Sequence, residues 1–246
     1  HTQSVGTVGS FAYQWKTFDF DYGKKGWLQD IVKPIVGSTK YFKNKTIVDC
    51  GSGSGRQSLW MAQAGAKFIF SIELSDSART MVKTVTSKVK DRVFVIQADI
   101  AHLPINRKSA KVDLAYCVNV IQHAKNPKKA TVEISKLLSQ DSSFIFNIYL
   151  KRVNSYLIDS IQFFRRTIRI FPNSLIRFIS LMIAIFVYPF KSMGHSFREF
   201  WLDVYDLLGS HSYQKFYSEK YLSKMLLESK LKIMKRSYYA MVLKKI

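Results

Sequence analysis

The chain has 246 residues, 47% of them apolar, which is enough for one large core and part of a second. Its net charge of +21 is spread evenly, with 21 Lys and Arg against 11 acids over residues 1–150 and 17 against 6 over residues 151–246. That evenness argues against a nucleic-acid-binding tail. It fits a generally basic surface, either simply solvated or turned toward phosphorylated substrates, anionic lipid headgroups or RNA.

The predicted elements run as follows. Residues 11–22 are rich in aromatics, Tyr13 and Trp15 among them, and Trp27 to Val36 has the pattern of an amphipathic helix ending near Pro34. A short apolar strand at Ile47 and Val48 runs through Asp49 into a turn bearing Gly51, Gly53 and Gly55. Glycines permit the positive φ values of a sharp turn and a close backbone approach to a ligand. A helix over Gln57 to Ala64 follows, then a strand over Phe68 to Ile72 that ends in Glu73. The helix start offers unpaired N–H groups, and an acid at the tip of the next strand suits the paired hydroxyls of a ribose. The pattern predicts a site for a nucleoside-bearing cofactor. Downstream come a helix over Ser75 to Lys88 with Ser75 or Asp76 as its cap, and strands from Val93 and over Lys111 to Tyr116. A helix over Lys129 to Leu138 and a strand over Ser143 to Tyr149 complete the alternation, the mark of a mostly parallel sheet with helices on both faces. A helix over Ser218 to Ser229 and strands over Leu231 to Arg236 and Tyr238 to Leu243 close the chain.

The dinucleotide fingerprint is G-x-G-x-x-G. Here the spacing is G-x-G-x-G, two residues after Asp49. This resembles motif I of the class I S-adenosylmethionine (SAM) methyltransferases, with Ser52 where many members carry Cys or another small residue. The resemblance continues through Val93 to Ile100, Lys111 to Tyr116 and Val118 to His123, and covers roughly residues 45–150. It implies a Rossmann-like seven-stranded, mostly parallel sheet whose last two strands pair antiparallel at one edge. It also implies SAM as cofactor and S-adenosylhomocysteine (SAH) as product. Asp49 is then expected to orient the glycine loop or to receive the methionine amino group. Gly51, Ser52, Gly53 and Gly55 would face the cofactor and Glu73 the ribose. Leu74 would pack on adenine, Asp99 would accept from the adenine amino group, and Ile100 would lie against the ring. On the acceptor side His123, His195 and Arg198 are the candidate catalytic residues, with Tyr13 and Trp15 closing over the methionine end.

The expected organisation is a lid over residues 1–44, the cofactor core over 45–150, a helical insertion over 151–212, and a return to the core over 213–246. Between Lys151 and Phe190 there are six Lys and Arg and a single acid, and Phe178 to Phe190 carries no charge. That run is too short to span a bilayer, which needs about 20 apolar residues. Three readings stand: a cap over the substrate pocket, a helix lying on an anionic membrane, or a protein interface.

The residues after the fourth strand, Cys117-Val-Asn-Val, lack the Asn/Asp-Pro-Pro-aromatic tetrad of base-amino methyltransferases, which disfavours nucleic acid as acceptor. The motif set resembles the small-molecule branch that includes the ubiquinone and menaquinone methyltransferases. A small-molecule acceptor, lipophilic or linked to lipid or sugar, is expected. RNA methyltransfer and a non-catalytic scaffold that keeps the fold are the alternatives. Neither Cys50 nor Cys117 has partners at metal-ligand spacing, so no metal is expected, and two strand cysteines without a disulfide framework fit a reducing compartment. The polar start, His1 to Ser10, lacks an apolar signal core, so a cytoplasmic location is expected, with peripheral membrane contact if the insertion lies on lipid.

Overall fold

The computed structural model describes residues 23–89, 91–105, 111–151, 163–164, 167–168, 170–191, 196–208 and 216–246. They fall into two compact units: residues 23–150 with 216–246, and residues 151–208.

The larger unit opens on a continuous helical stretch, α1, made of Lys24–Gly26, a wider π-helical segment Trp27–Val32, and Lys33–Val36. The central sheet then builds from β1 (Thr46–Cys50), β2 (Phe68–Glu73), β3 (Val93–Gln97), β4 (Val112–Cys117) and β5 (Leu138–Phe146). Between them lie α2 (Arg56–Gln63), α3 (Ser77–Val89) and α4 (Pro127–Ser135). After the smaller unit come α7 (Glu219–Glu228), β6 (Leu231–Arg236) and β7 (Met241–Lys245). The strand order is β3-β2-β1-β4-β5-β7-β6, with β7 antiparallel to both its neighbours and the rest parallel.

Alternation along each strand feeds two apolar layers. Ile47, Ile69, Leu114 and Tyr116 face one layer with α1, Trp60 and Met61 of α2, and Met81 and Val85 of α3. Val48, Cys50, Ala115 and Cys117 face the other, with Ala130 and Ile134 of α4 and Leu222, Met225 and Leu226 of α7. In α1, Trp27, Ile31, Val32 and Ile35 are buried, and the Trp27 indole donates to the Tyr116 hydroxyl at 3.1 Å. Cys50 and Cys117 sit fully buried on adjacent strands, and burial pushes both thiols well above the usual range.

Three elements differ from the sequence expectation. α4 starts at Pro127, two residues early, because Asn126 caps it by accepting from the Lys129 N–H at 3.1 Å, and it stops at Ser135. β5 begins at Leu138, since its pairing to β4 jumps between Val112↔Leu138 and Leu114↔Ser143. The polar Ser139–Ser142 stretch fills that bulge, with Ser142 Oγ accepting from the Ser139 N–H at 3.0 Å and donating to Val112 O at 2.6 Å. β7 starts three residues late because Ser237–Ala240 forms a turn closed by a 2.8 Å bond from the Ser237 N–H to Ala240 O. The helix over Ser218 to Ser229 is observed, with Ser218 as its cap.

The smaller unit pairs α5 (Asn173–Lys191) with α6 (Phe197–Leu208), both inside the stretch expected to be a helical insertion. Ile176 and Ala184 pack against Val204, Tyr205 and Leu208, and the Trp201 indole donates to Ser180 Oγ at 2.9 Å.

Candidate cofactor site

The strand order reverses between β1 and β4, so their carboxyl ends diverge and leave a crevice, the place where open α/β sheets bind ligands. The predicted glycine loop lies there. Gly51, Gly53 and Gly55 adopt φ of 76°, 58° and 78°, the left-handed region that glycine enters without steric cost. Gly51 N–H donates to Ile72 O at 2.7 Å and Ser52 N–H to the same oxygen at 3.0 Å, lashing the loop to the end of β2. A Cβ on Gly51 would stand 2.4 Å from Val120 Cγ1, and one on Gly55 would stand 2.3 Å from Met81 Sδ.

Glu73 closes the other side of the loop. Its Oε2 accepts from the Gly53 N–H and its Oε1 from the Ser75 N–H, each at 2.8 Å. A carboxylate has about four lone-pair sites, so two remain to accept from a pair of vicinal hydroxyls. Because Glu73 is registered with Gln97 on β3, the residues following both strands lie side by side. Leu74, 47% exposed, follows one strand, and Asp99 and Ile100 follow the other. Asp99 Oδ1 accepts from the Ala101 N–H at 2.8 Å, which fixes the carboxylate while leaving it half exposed. Apolar surface beside a fixed acceptor suits a flat ring with an exocyclic amine. The donor and acceptor set fits an adenosine group.

Asp49 takes a different position from the rest. It is 2% exposed, and its Oδ2 accepts from Ser58 Oγ at 2.5 Å, with Ser58 in turn 2.6 Å from Ser71 Oγ. The carboxylate therefore ties β1 to α2 beneath the loop. Burial raises its pKa to about 7; the Ser58 hydrogen bond lowers it and the Glu73 charge raises it further.

At the exit of β4, Asn119 is left-handed with φ 62° and is gripped by Asn147 beyond β5. His123 ends the 3₁₀ turn Ile121–His123 and meets Tyr149 edge-on, with ring centroids 6.2 Å apart. Gln122, which sequence reasoning passed over, is fully buried, and its amide Nε2 and Oε1 find no partner among the described residues. Only its place beside His123 could have drawn attention to it. The described structure thus brings Asp49, the glycine loop, Glu73, Leu74, Asp99 and Ile100 to one end of the sheet, with His123 beyond β4. Arg198 lies exposed on α6 of the other unit. Tyr13, Trp15 and His195 fall outside the described residues. No group of three or more metal-ligating side chains occurs among the described residues.

The chain is similar to known methyltransferases. Residues 48–146 match the family described as "Methyltransferase domain". Over 107 residues the chain is 30% identical to protein arginine N-methyltransferase PRMT10 of Arabidopsis thaliana, covering 40% of this chain and 27% of that protein. Over 104 residues it is 36% identical to protein arginine N-methyltransferase 1 of Caenorhabditis elegans, covering 36% and 30%. The chain thus spans under a third of the length of these curated relatives. Among solved structures, the 1,6-didemethyltoxoflavin-N1-methyltransferase of Burkholderia thailandensis superposes with a TM-score of 0.53 at 11% identity, covering 96% of this chain and 88% of that one. Residues 48–146 thus match a methyltransferase domain, and the sheet that carries them has the class I methyltransferase fold.

Proposed function

We propose that this chain binds SAM and transfers its methyl group to a small-molecule acceptor that is lipophilic or linked to a lipid or sugar, releasing SAH. The observation that carries the cofactor assignment is the Glu73 carboxylate, held by the Gly53 and Ser75 N–H groups with two lone-pair sites to spare. In this reading Glu73 takes the ribose hydroxyls, Asp99 accepts from the adenine amine, and Leu74 and Ile100 flank the ring. Gly51, Ser52, Gly53 and Gly55 offer backbone to the rest of the cofactor. The burial of Asp49 and its bond to Ser58 favour a loop-orienting role over direct contact with the methionine amino group.

When bound, SAM supplies an electrophilic methyl group, so the chain itself has to position, exclude water and manage the acceptor's proton. For a hydroxyl or carbon acid, His123 at the β4 exit is the proposed base, oriented by the edge of Tyr149. An acceptor presenting an amine needs no base and would leave His123 a positioning residue.

The curated relatives methylate arginine by their names. A guanidinium acceptor calls for carboxylates at the acceptor side, yet Val118 to Ala124 contains no acid and a surface of net charge +21 repels cationic peptides. The small-molecule reading is therefore preferred.

Calorimetric titration with SAH, with NADH and the Glu73→Ala variant as controls, tests the cofactor. Micromolar SAH binding that the variant loses, with no NADH binding, supports the assignment. Wild-type protein that ignores SAH would overturn it. The acceptor is then sought among quinone-like, lipid-linked and sugar-linked compounds by methyl transfer from labelled SAM, with an arginine-rich peptide as the competing arm.

A further inference from the structure

We propose that α5 is a docking helix for an anionic lipid surface, lying in the headgroup plane along its length. Ile176, Ser180 and Ala184, spaced i, i+4, i+8, are buried against α6. The opposite face carries Phe178, Met182, Ile185 and Phe186, spaced i, i+4, i+7, i+8, with Leu175 and Phe190 at its ends. All six are exposed, Phe178 by 60%, Phe186 by 68% and Phe190 by 86%. A helix apolar on every side is ordinarily buried on every side, and within the smaller unit no described residue covers this face.

Charge selects the occupant. Between residues 160 and 191 there are five cations, Arg165, Arg166, Arg169, Arg177 and Lys191, and no acid, while Glu199, Asp203 and Asp206 belong to α6. A second copy of a chain with net charge +21 would set these cations against their like. An anionic lipid surface answers both features at once: acyl chains take the phenyl rings to a depth of about 5–10 Å, and the negative headgroups attract a segment this basic in sequence. The 19 residues of α5 extend about 28 Å. No described helix is long and apolar enough to cross a membrane, so α5 lies on the surface rather than through it.

The test is co-sedimentation of the full chain with phosphatidylcholine vesicles, with and without phosphatidylglycerol, at about 0.1 M and about 1 M salt, where the Debye length falls from about 10 Å to about 3 Å. The proposal expects binding that needs phosphatidylglycerol, weakens at high salt, and falls at least about tenfold in Phe178→Ser/Phe186→Ser. Phe178→Leu/Phe186→Leu, which keeps the face apolar, retains binding. Met182→Gln weakens it less and serves where the double variant melts early by circular dichroism. Absence of binding, indifference to phosphatidylglycerol, or equal binding by the serine variant overturns the proposal. So does a doubled solution mass that the serine variant abolishes, since a second copy then covers the face. SAH titration of the same preparations reads the cofactor assignment independently, so either idea can fail without the other.

Discussion

Asn147 holds Asn119 by two reciprocal hydrogen bonds, its Oδ1 accepting from the Asn119 N–H at 2.6 Å and its Nδ2 donating to Asn119 Oδ1 at 2.7 Å. Asn119 stands at the exit of β4 and Asn147 just beyond β5, so the pair sets the path of the chain into the Ile121–His123 turn. Asn is among the few side-chain-bearing residues that accept φ 62° readily. Asn147→Ala should destabilise the protein by about 2 kcal/mol, because it strips the partner from a backbone N–H and from an amide. Urea unfolding checks this, and methyl transfer should fall further than stability alone predicts if the clasp aims His123.

Asp49 gives the fold a pH dependence whose direction follows from its burial. Its folded pKa of about 7 lies above its ordinary value of 3.8, so the native state holds this proton more tightly than the unfolded chain. Between about pH 4 and pH 7 the folded state binds more protons, and stability from this group declines as pH rises through that window. Above pH 7 the loss is complete, at most about 4 kcal/mol. Asp49→Asn removes the slope while Ser58 can still donate to the amide oxygen. Thermal melts from pH 5 to pH 8 should show the variant gaining on the wild type as pH rises; parallel curves would refute the assignment.

The clash at Gly51 is specific enough to be relieved by design. Gly51→Ala combines a β-carbon at φ 76° with a contact of 2.4 Å to Val120 Cγ1. Left-handed strain and overpacking together should cost about 2–4 kcal/mol. Adding Val120→Ala removes both γ-carbon contacts and leaves a Cβ contact at 3.0 Å and the φ strain, so the pair should be less destabilised than Gly51→Ala alone. A double-mutant cycle by urea unfolding measures the difference.

Gln122 is expected to be a burden on the ligand-free protein. An amide with no partner among the described residues costs about 1–3 kcal/mol at full burial. Gln122→Met, of similar length and free of polar demand, should raise the melting temperature of the apo protein. If activity falls in the same variant, the amide meets a ligand or a moving loop during turnover.

The parts of the site carried by short-range chemistry were legible beforehand. The Asp49 to Gly55 turn and the Glu73 strand tip follow from alternation and glycine spacing, because each is fixed by its own strand and the turn after it, whereas Asp99 stands out only through the family resemblance. The partnerships of Asp49 were not legible: Ser58 comes from α2 and Ser71 from β2, and only the sheet register brings them together. The start of β5 was hidden because Ser139–Ser142 fills a bulge with hydroxyl bonds, a local solution that leaves no apolar pattern. The bounds of α6 escaped notice since its apolar residues read naturally only once α5 is there to receive them.

The two thiols at the centre of the sheet have a practical use. Cys50 and Cys117 are sealed inside one apolar layer and held in the protonated, unreactive form. Both side chains lie in the layer covered by α4 and α7, so a thiol-specific alkylating reagent can reach them only when that layer opens. Their labelling rate in native buffer is a clock for that opening, and its slowing on addition of a ligand would report binding without any enzymatic assay.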